Sequence, residues 1–224
     1  MAALDFAAML KASRKSARSS ASAATPAPAS PLDLSPNWLP APPSLPQLSS
    51  SIAYLPSFLP PSSTASLLAS LSRHPWSALP GRRLQNHGGV PHALGTMSER
   101  LPPFLLELAG KLGGAFDGEP PDQVLANEYE RGGGIGRHKD GPLFLPRAAV
   151  VSLLSPCVLR FSASPSSPPL SLWLEPRSLL VFEGEAFEGL EHWIEERDDD
   201  EWEGEGAYLN GKLLSAETRG LPGG

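Results

Sequence analysis

The chain has 224 residues, a single cysteine and a net charge of −6. That length suits one domain with residues to spare for a tail. Cys157 alone excludes a disulfide framework or a cysteine-based zinc cluster, which favours a reducing compartment, and no apolar stretch approaches the roughly 20 residues of a membrane helix. No membrane partner is therefore expected. Proline (26) and glycine (21) make up about a fifth of the chain, above ordinary usage, and imply short elements divided by turns. Charge is uneven: residues 183–206 hold 12 of the 24 acids and one base, Arg197, whereas residues 1–182 carry a net charge of +4. A mildly basic body suits a phosphate-bearing substrate without demanding one.

In chain order, residues 2–11 (AALDFAAMLK) have the composition of a short amphipathic helix. Residues 12–50 are mostly Ser, Ala and Pro, with too few large apolar groups to offset the entropy of ordering. Residues 1–47 are therefore expected to be a disordered tail, with 12–47 dispensable for metal binding. The Arg/Ser/Ala-rich start resembles an organelle transit peptide. Asp5 and the prolines argue against that, leaving nucleus and cytoplasm as the expected compartments. Ser62–Arg73 predicts a helix with Leu67, Leu68 and Leu71 on one face and Ser62 or Ser63 as N-cap. Residues 102–112 predict another, with prolines in its first turn and Gly113-Gly114 at its end.

Strand candidates follow at Val124–Tyr129, Ala148–Leu154, Val158–Ser162, Leu170–Leu174, Ser178–Phe182 and Leu190–Ile194. Short strands with turn signals between them predict a sandwich or barrel. Cys157 heads the apolar run Cys157-Val158-Leu159 and reads as a buried thiol.

The run Asn127-Glu-Tyr-Glu-Arg-Gly-Gly-Gly-Ile-Gly-Arg-His138-Lys-Asp140-Gly carries chemistry. In an extended segment, residues two apart point to one side, so His138 and Asp140 can offer an imidazole nitrogen and a carboxylate oxygen to one ion. A third ligand from a distant strand would complete a 2-His-1-carboxylate triad, which leaves positions open as in non-heme iron(II) oxygenases. A His-x-Asp triplet alone is common on surfaces. Among the other histidines, His74 sits at a helix end, and His87 and His92 lie in a Gly/Pro-rich stretch. His192 lies in Leu190-Glu-His-Trp-Ile194, where Leu190, His192 and Ile194 share a face, and it is the chosen third ligand.

These residues resemble the AlkB-like family of 2-oxoglutarate/Fe(II) dioxygenases. The similarity rests on Asn127-x-Tyr129, the Gly-rich turn and His138-x-Asp140-Gly-Pro. Gly81-Arg-Arg-Leu-Gln-Asn86, Gly89-Val-Pro-His92, Ser98-Glu-Arg-Leu-Pro-Pro103, Leu174-Glu-Pro-Arg-Ser-Leu-Leu180 and Leu190-Glu-His192 look like the subgroup called AlkB homologue six. The resemblance spans about Leu48 to Ile194, giving an expected domain at 48–194 and an acidic, irregular tail at 195–224. It implies a mainly β (α+β) double-stranded β-helix, or jelly roll, with flanking helices.

It further implies that His138, Asp140 and His192 hold Fe(II) and are the catalytic centre, and that Asn127 and Tyr129 bind the co-substrate 2-oxoglutarate. Arg82, Arg83, Gln85 and Asn86 would belong to a lid over the substrate. With dioxygen, 2-oxoglutarate would be converted to succinate and CO₂ while an N-methyl group of DNA or RNA is hydroxylated and lost as formaldehyde. A protein side chain as substrate, or an inactive binding fragment, are the alternatives.

One departure stands out. The family places on a late strand an arginine for the far carboxylate of 2-oxoglutarate, with a second six residues on. Here the late arginines are Arg197 and Arg219, and Arg219 lacks a strand pattern. A shortened form is therefore expected, with a sheet short of one element and weak binding of 2-oxoglutarate. Arg160 and Arg219 are the candidate substitutes.

Overall fold

Strands buried on both faces read as unbroken apolar runs, because each face packs on a different layer. Ala148–Ser152 and Leu179–Phe182 are such runs, buried at every position. They form the middle of the fold in the computed structural model, which describes residues 5–13, 32–92 and 95–221. In chain order the strands are β1 (Asp5–Ser13), β2 (Ile52–Leu55), β3 (Ser77–Leu79), β4 (Arg82–His87), β5 (Gly89–His92), β6 (Gly95–Ser98), β7 (Gln123–Tyr129), β8 (Ile135–His138), β9 (Phe144–Ser152), β10 (Cys157–Ser162), β11 (Leu170–Leu174), β12 (Leu179–Glu183) and β13 (Glu191–Ile194). The helices are α1 (Pro61–Leu71), α2 (Pro103–Lys111) and the single turns α3 (Glu185–Glu188) and α4 (Ala216–Arg219).

A large sheet runs β2-β12-β9-β1-β7-β4-β3, a smaller one β11-β10-β13-β8, and β5 and β6 form a separate hairpin. Every pairing is antiparallel. This is the mainly β jelly roll that the sequence implies. Side-chain alternation sorts the core into two layers. Ala148, Val150, Leu180 and Phe182 face the smaller sheet, whereas Ala149, Val151, Leu179 and Val181 face Leu67, Leu71, Leu105 and Leu108 of the two longer helices. Cys157 is buried, as expected.

The structure corrects several expectations. Residues 5–13 are not a helix. They form β1, hydrogen-bonded to β7 on one side and β9 on the other. Ala, Met, Leu and Lys favour a helix in isolation, but the space between β7 and β9 presents two rows of backbone groups that only a strand can satisfy. The sheet therefore has no gap at its centre.

The domain also begins before residue 48. Leu34 and Leu39 are buried, and the Leu39 N–H donates to the Ile52 carbonyl (2.8 Å). Residues 1–4 and 14–31 of the supposed tail lie outside the described residues. Pro60, not Ser62 or Ser63, occupies the N-cap of α1. The supposed lid stretch Arg82–His92 is β4, paired to β7, followed by β5.

Residues 195–221 are irregular, as expected, but they pack against the body of the fold. Trp202, Tyr208 and Leu214 are buried in the inter-sheet cluster, and Asn210, fully buried, donates to the Trp173 carbonyl (2.7 Å) and accepts from the Trp173 N–H (3.1 Å). Asn210 thus completes the free edge of β11. Asn210→Ala would leave both Trp173 groups buried and unpaired, so a loss of about 1–3 kcal/mol is expected in urea unfolding. An unchanged midpoint would contradict this packing.

Candidate metal centre

β8 and β13 pair so that His138 and His192 stand directly opposite one another. Their rings are 4.3 Å apart between centroids. Asp140 follows two residues later, just past the end of β8. Each of the three residues offers one ligating atom, and these atoms lie within 4.8 Å of one another.

The local chemistry suits a metal. Gly136 presents its carbonyl 2.8 Å from His138 Nδ1. A carbonyl can only accept, so Nδ1 carries a proton, and Nε2 is the nitrogen left to face a metal. His192 Nε2 and Asp140 Oδ2 are buried with no hydrogen-bond partner among the described residues. Such atoms are costly to leave bare, and here they belong to the residues of the cluster. Two imidazoles and a carboxylate are a donor set suited to Fe(II). Burial is the main influence on His192. It lowers the pKa to about 4, His138 and Lys11 add to the lowering, and Asp140 opposes it. The ring is therefore neutral at pH 7, the form that binds metal.

The cluster borders a cavity of about 450 Å³, a size typical of small-ligand sites. Asn127 and Tyr129 both line it, two residues apart on β7. Among the four lid candidates only Arg82 does so, with its Nε–H donated to Asn127 Oδ1 (3.1 Å). Arg83 pairs with Glu128 and lies over the Trp76 ring. Gln85 is buried and ties β4 to the end of α1 through the carbonyls of Leu71 (2.9 Å) and His74 (3.0 Å). Asn86 is exposed.

His74 caps α1 through the Ser70 carbonyl (3.0 Å), and His87 bonds Gln85 (3.0 Å). Neither substitute arginine lines the cavity: Arg160 pairs with Glu195 (3.0 Å) and Arg219 with Glu205 (3.8 Å).

The site residue that sequence reasoning missed is Lys11. From β1 it lines the cavity and forms an ion pair with Asp140. Nothing in a stretch composed like a helix signals this.

The Gly-rich approach to His138 has a packing reason. A Cβ on Gly134 would lie 2.6 Å from the Ile194 carbonyl oxygen and 2.9 Å from Glu195 backbone. Gly134→Ala must push β8 off β13, so it is expected to weaken metal binding about tenfold, as loss of outer-shell support does. An unaltered affinity in calorimetry would refute the link.

The double-stranded β-helix and its His-Asp-His cluster define a non-heme metal oxygenase framework. Residues 60–212, more than half of the chain, match the family described as the 2OG-Fe(II) oxygenase superfamily, and the chain belongs to that family, on its AlkB-like side. It is 36% identical over 160 residues to the probable RNA/DNA demethylase ALKBH6 of Danio rerio, covering 64% of this chain and 68% of that protein. It is 28% identical over 171 residues to the uncharacterized protein L905 of Acanthamoeba polyphaga mimivirus, covering 72% and 78%. The solved structure of OsALKBH1 superposes with a TM-score of 0.51 at 15% identity, over 78% of this chain and 94% of that one, a likeness of fold. The family implies Fe(II) and 2-oxoglutarate.

Proposed function

We propose that this oxygenase is a dioxygenase that removes alkyl groups from nucleic acid by oxidation, with His138, Asp140 and His192 holding Fe(II). The observation that carries the metal reading is the set of bare, buried ligating atoms at the edge of a cavity. When bound, iron with dioxygen and 2-oxoglutarate supplies an oxidant for a C–H bond at the expense of co-substrate decarboxylation. The protein's own part is positional. Gly136 holds the His138 proton on Nδ1, burial keeps His192 neutral, and Arg82 fixes the Asn127 amide, which with Tyr129 lines the cavity where the co-substrate would be held. Val150, Leu159 and Leu174 give the cavity an apolar wall.

A nucleic-acid substrate is supported by the name of the Danio rerio relative and by the cation Arg137, which lines the cavity and stacks on Trp193 at 3.9 Å. An aromatic–guanidinium pair of this kind suits a base and its phosphate. Among the described residues no helix is long and apolar enough to cross a membrane. Weak co-substrate binding was expected because no late arginine was available for the far carboxylate of 2-oxoglutarate. Neither Arg160 nor Arg219 lines the cavity, but the cation Lys11 does, so no impairment is proposed on that ground.

The test is succinate release by the iron-loaded chain with N-methylated oligonucleotides, with methylated peptides and with neither. Stimulation and formaldehyde release by oligonucleotides support the proposal. Stimulation by peptides alone would replace it with a protein substrate.

A further inference from the structure

We infer that Lys11 is the co-substrate-pairing cation of this centre: it holds Asp140 in the metal-free chain and turns to a carboxylate of the co-substrate once a divalent metal is bound. This rests on the metal and co-substrate reading above but not on the nucleic-acid substrate.

The placement of Lys11 is fixed by the sheet. It stands opposite Gln123 of β7 and Ala148 of β9. Met9 and Lys11 line the cavity, while Leu10 and Ala12 pack on the helix side. A register slip of one residue would send Lys11 out of the site. Its side chain is only 10% exposed and that of Asp140 only 3%, so neither charge is well served by water.

A metal bound to Asp140 brings two positive charges beside the ammonium, and the pair as it stands becomes repulsive. Lysine has a flexible four-carbon stem and a compact charge, and the adjoining cavity of about 450 Å³ gives it room to turn. What it then needs is an anion. The other cations that line the cavity have neutral partners, Arg82 the Asn127 amide and Arg137 the Trp193 ring, whereas Lys11 already holds a carboxylate there. Arg160 and Arg219 pair with acids elsewhere. Lys11 is thus the cation best placed to exchange one carboxylate for another.

The exchange has an unusual signature. Lys11 should oppose the metal when it binds alone and favour the anionic co-substrate that follows. A residue that merely supported the fold would favour both.

The experiment uses the full chain under anaerobic conditions, with Mn(II) as the metal. Calorimetry would measure Mn(II) binding and then 2-oxoglutarate binding to the loaded chain, for the parent, Lys11→Met and Lys11→Arg. In Lys11→Met, Mn(II) is expected to bind at least about threefold more tightly, as a nearby like charge is removed. The co-substrate should bind about thirtyfold more weakly, the usual result of deleting one partner of a partly buried charge pair. Lys11→Arg should keep the charge and recover most co-substrate affinity.

Weakening of both ligands in Lys11→Met, or unchanged co-substrate affinity, would overturn the inference. So would a parent chain that binds Mn(II) but not 2-oxoglutarate. If the binding signature appears but no oligonucleotide stimulates succinate release, the inference stands and the nucleic-acid proposal fails.

Discussion

Asp140→Ala is expected to reduce Mn(II) or Fe(II) affinity by more than about a hundredfold, beyond the loss usual for outer-shell partners. Three ligating groups meet here, and Asp140 is the only anion among them. Without it, a dication would have to bind two neutral imidazoles beside an uncompensated ammonium. The same substitution strands Lys11 in a largely enclosed position. Stability should therefore fall as well, by about 1–3 kcal/mol, the range for a buried polar group that loses its partner. The two effects can be separated. Adding Lys11→Met to Asp140→Ala should restore much of the stability and none of the metal binding. Near-parental Mn(II) affinity in Asp140→Ala would remove the carboxylate from the ligand set.

Deletion of residues 1–13 is expected to abolish cooperative unfolding. β1 is hydrogen-bonded along both edges in the middle of the large sheet, and its removal uncovers facing rows of β7 and β9. Domains of this kind have only about 5–15 kcal/mol of stability to lose. A milder probe is Leu10→Ala. Leu10 is fully buried on the helix side of the sheet, and truncation of such a side chain costs about 2–5 kcal/mol. A thermal melt should show this as a drop of several degrees. A deletion variant that melts like the parent would show that β1 does not belong to the sheet.

Much of the architecture was legible because each central strand carries its own signal. The apolar runs at Ala148–Ser152 and Leu179–Phe182, with turns between them, state a buried strand without reference to any neighbour. The approach of His138, Asp140 and His192 was legible for a related reason: two residues apart on one strand, and one histidine on the face of another. What failed was information held by partners. Residues 5–13 have a helical composition, and only the backbone groups of β7 and β9 make them a strand. Arg82, Arg83, Gln85 and Asn86 read as one loop, yet strand alternation sends Arg82 to the cavity and Arg83 to Glu128. The acids of 195–206 hid Trp202, Tyr208 and Leu214, whose apolar faces seal the smaller sheet.

Because the middle of the large sheet comes from opposite regions of the chain, order of synthesis matters. Ala7 pairs with Asn127 and with Ser152. At a translation rate of about 5–20 residues per second, β1 leaves the ribosome roughly 7–30 s before its second neighbour exists. For most of that interval, until β7 emerges, its backbone donors and acceptors have no native partner, and its composition favours a transient helix. A segment made early is thus among the last to be placed. The metal centre, which takes Lys11 from that segment, can be finished only after the chain has emerged well beyond its midpoint.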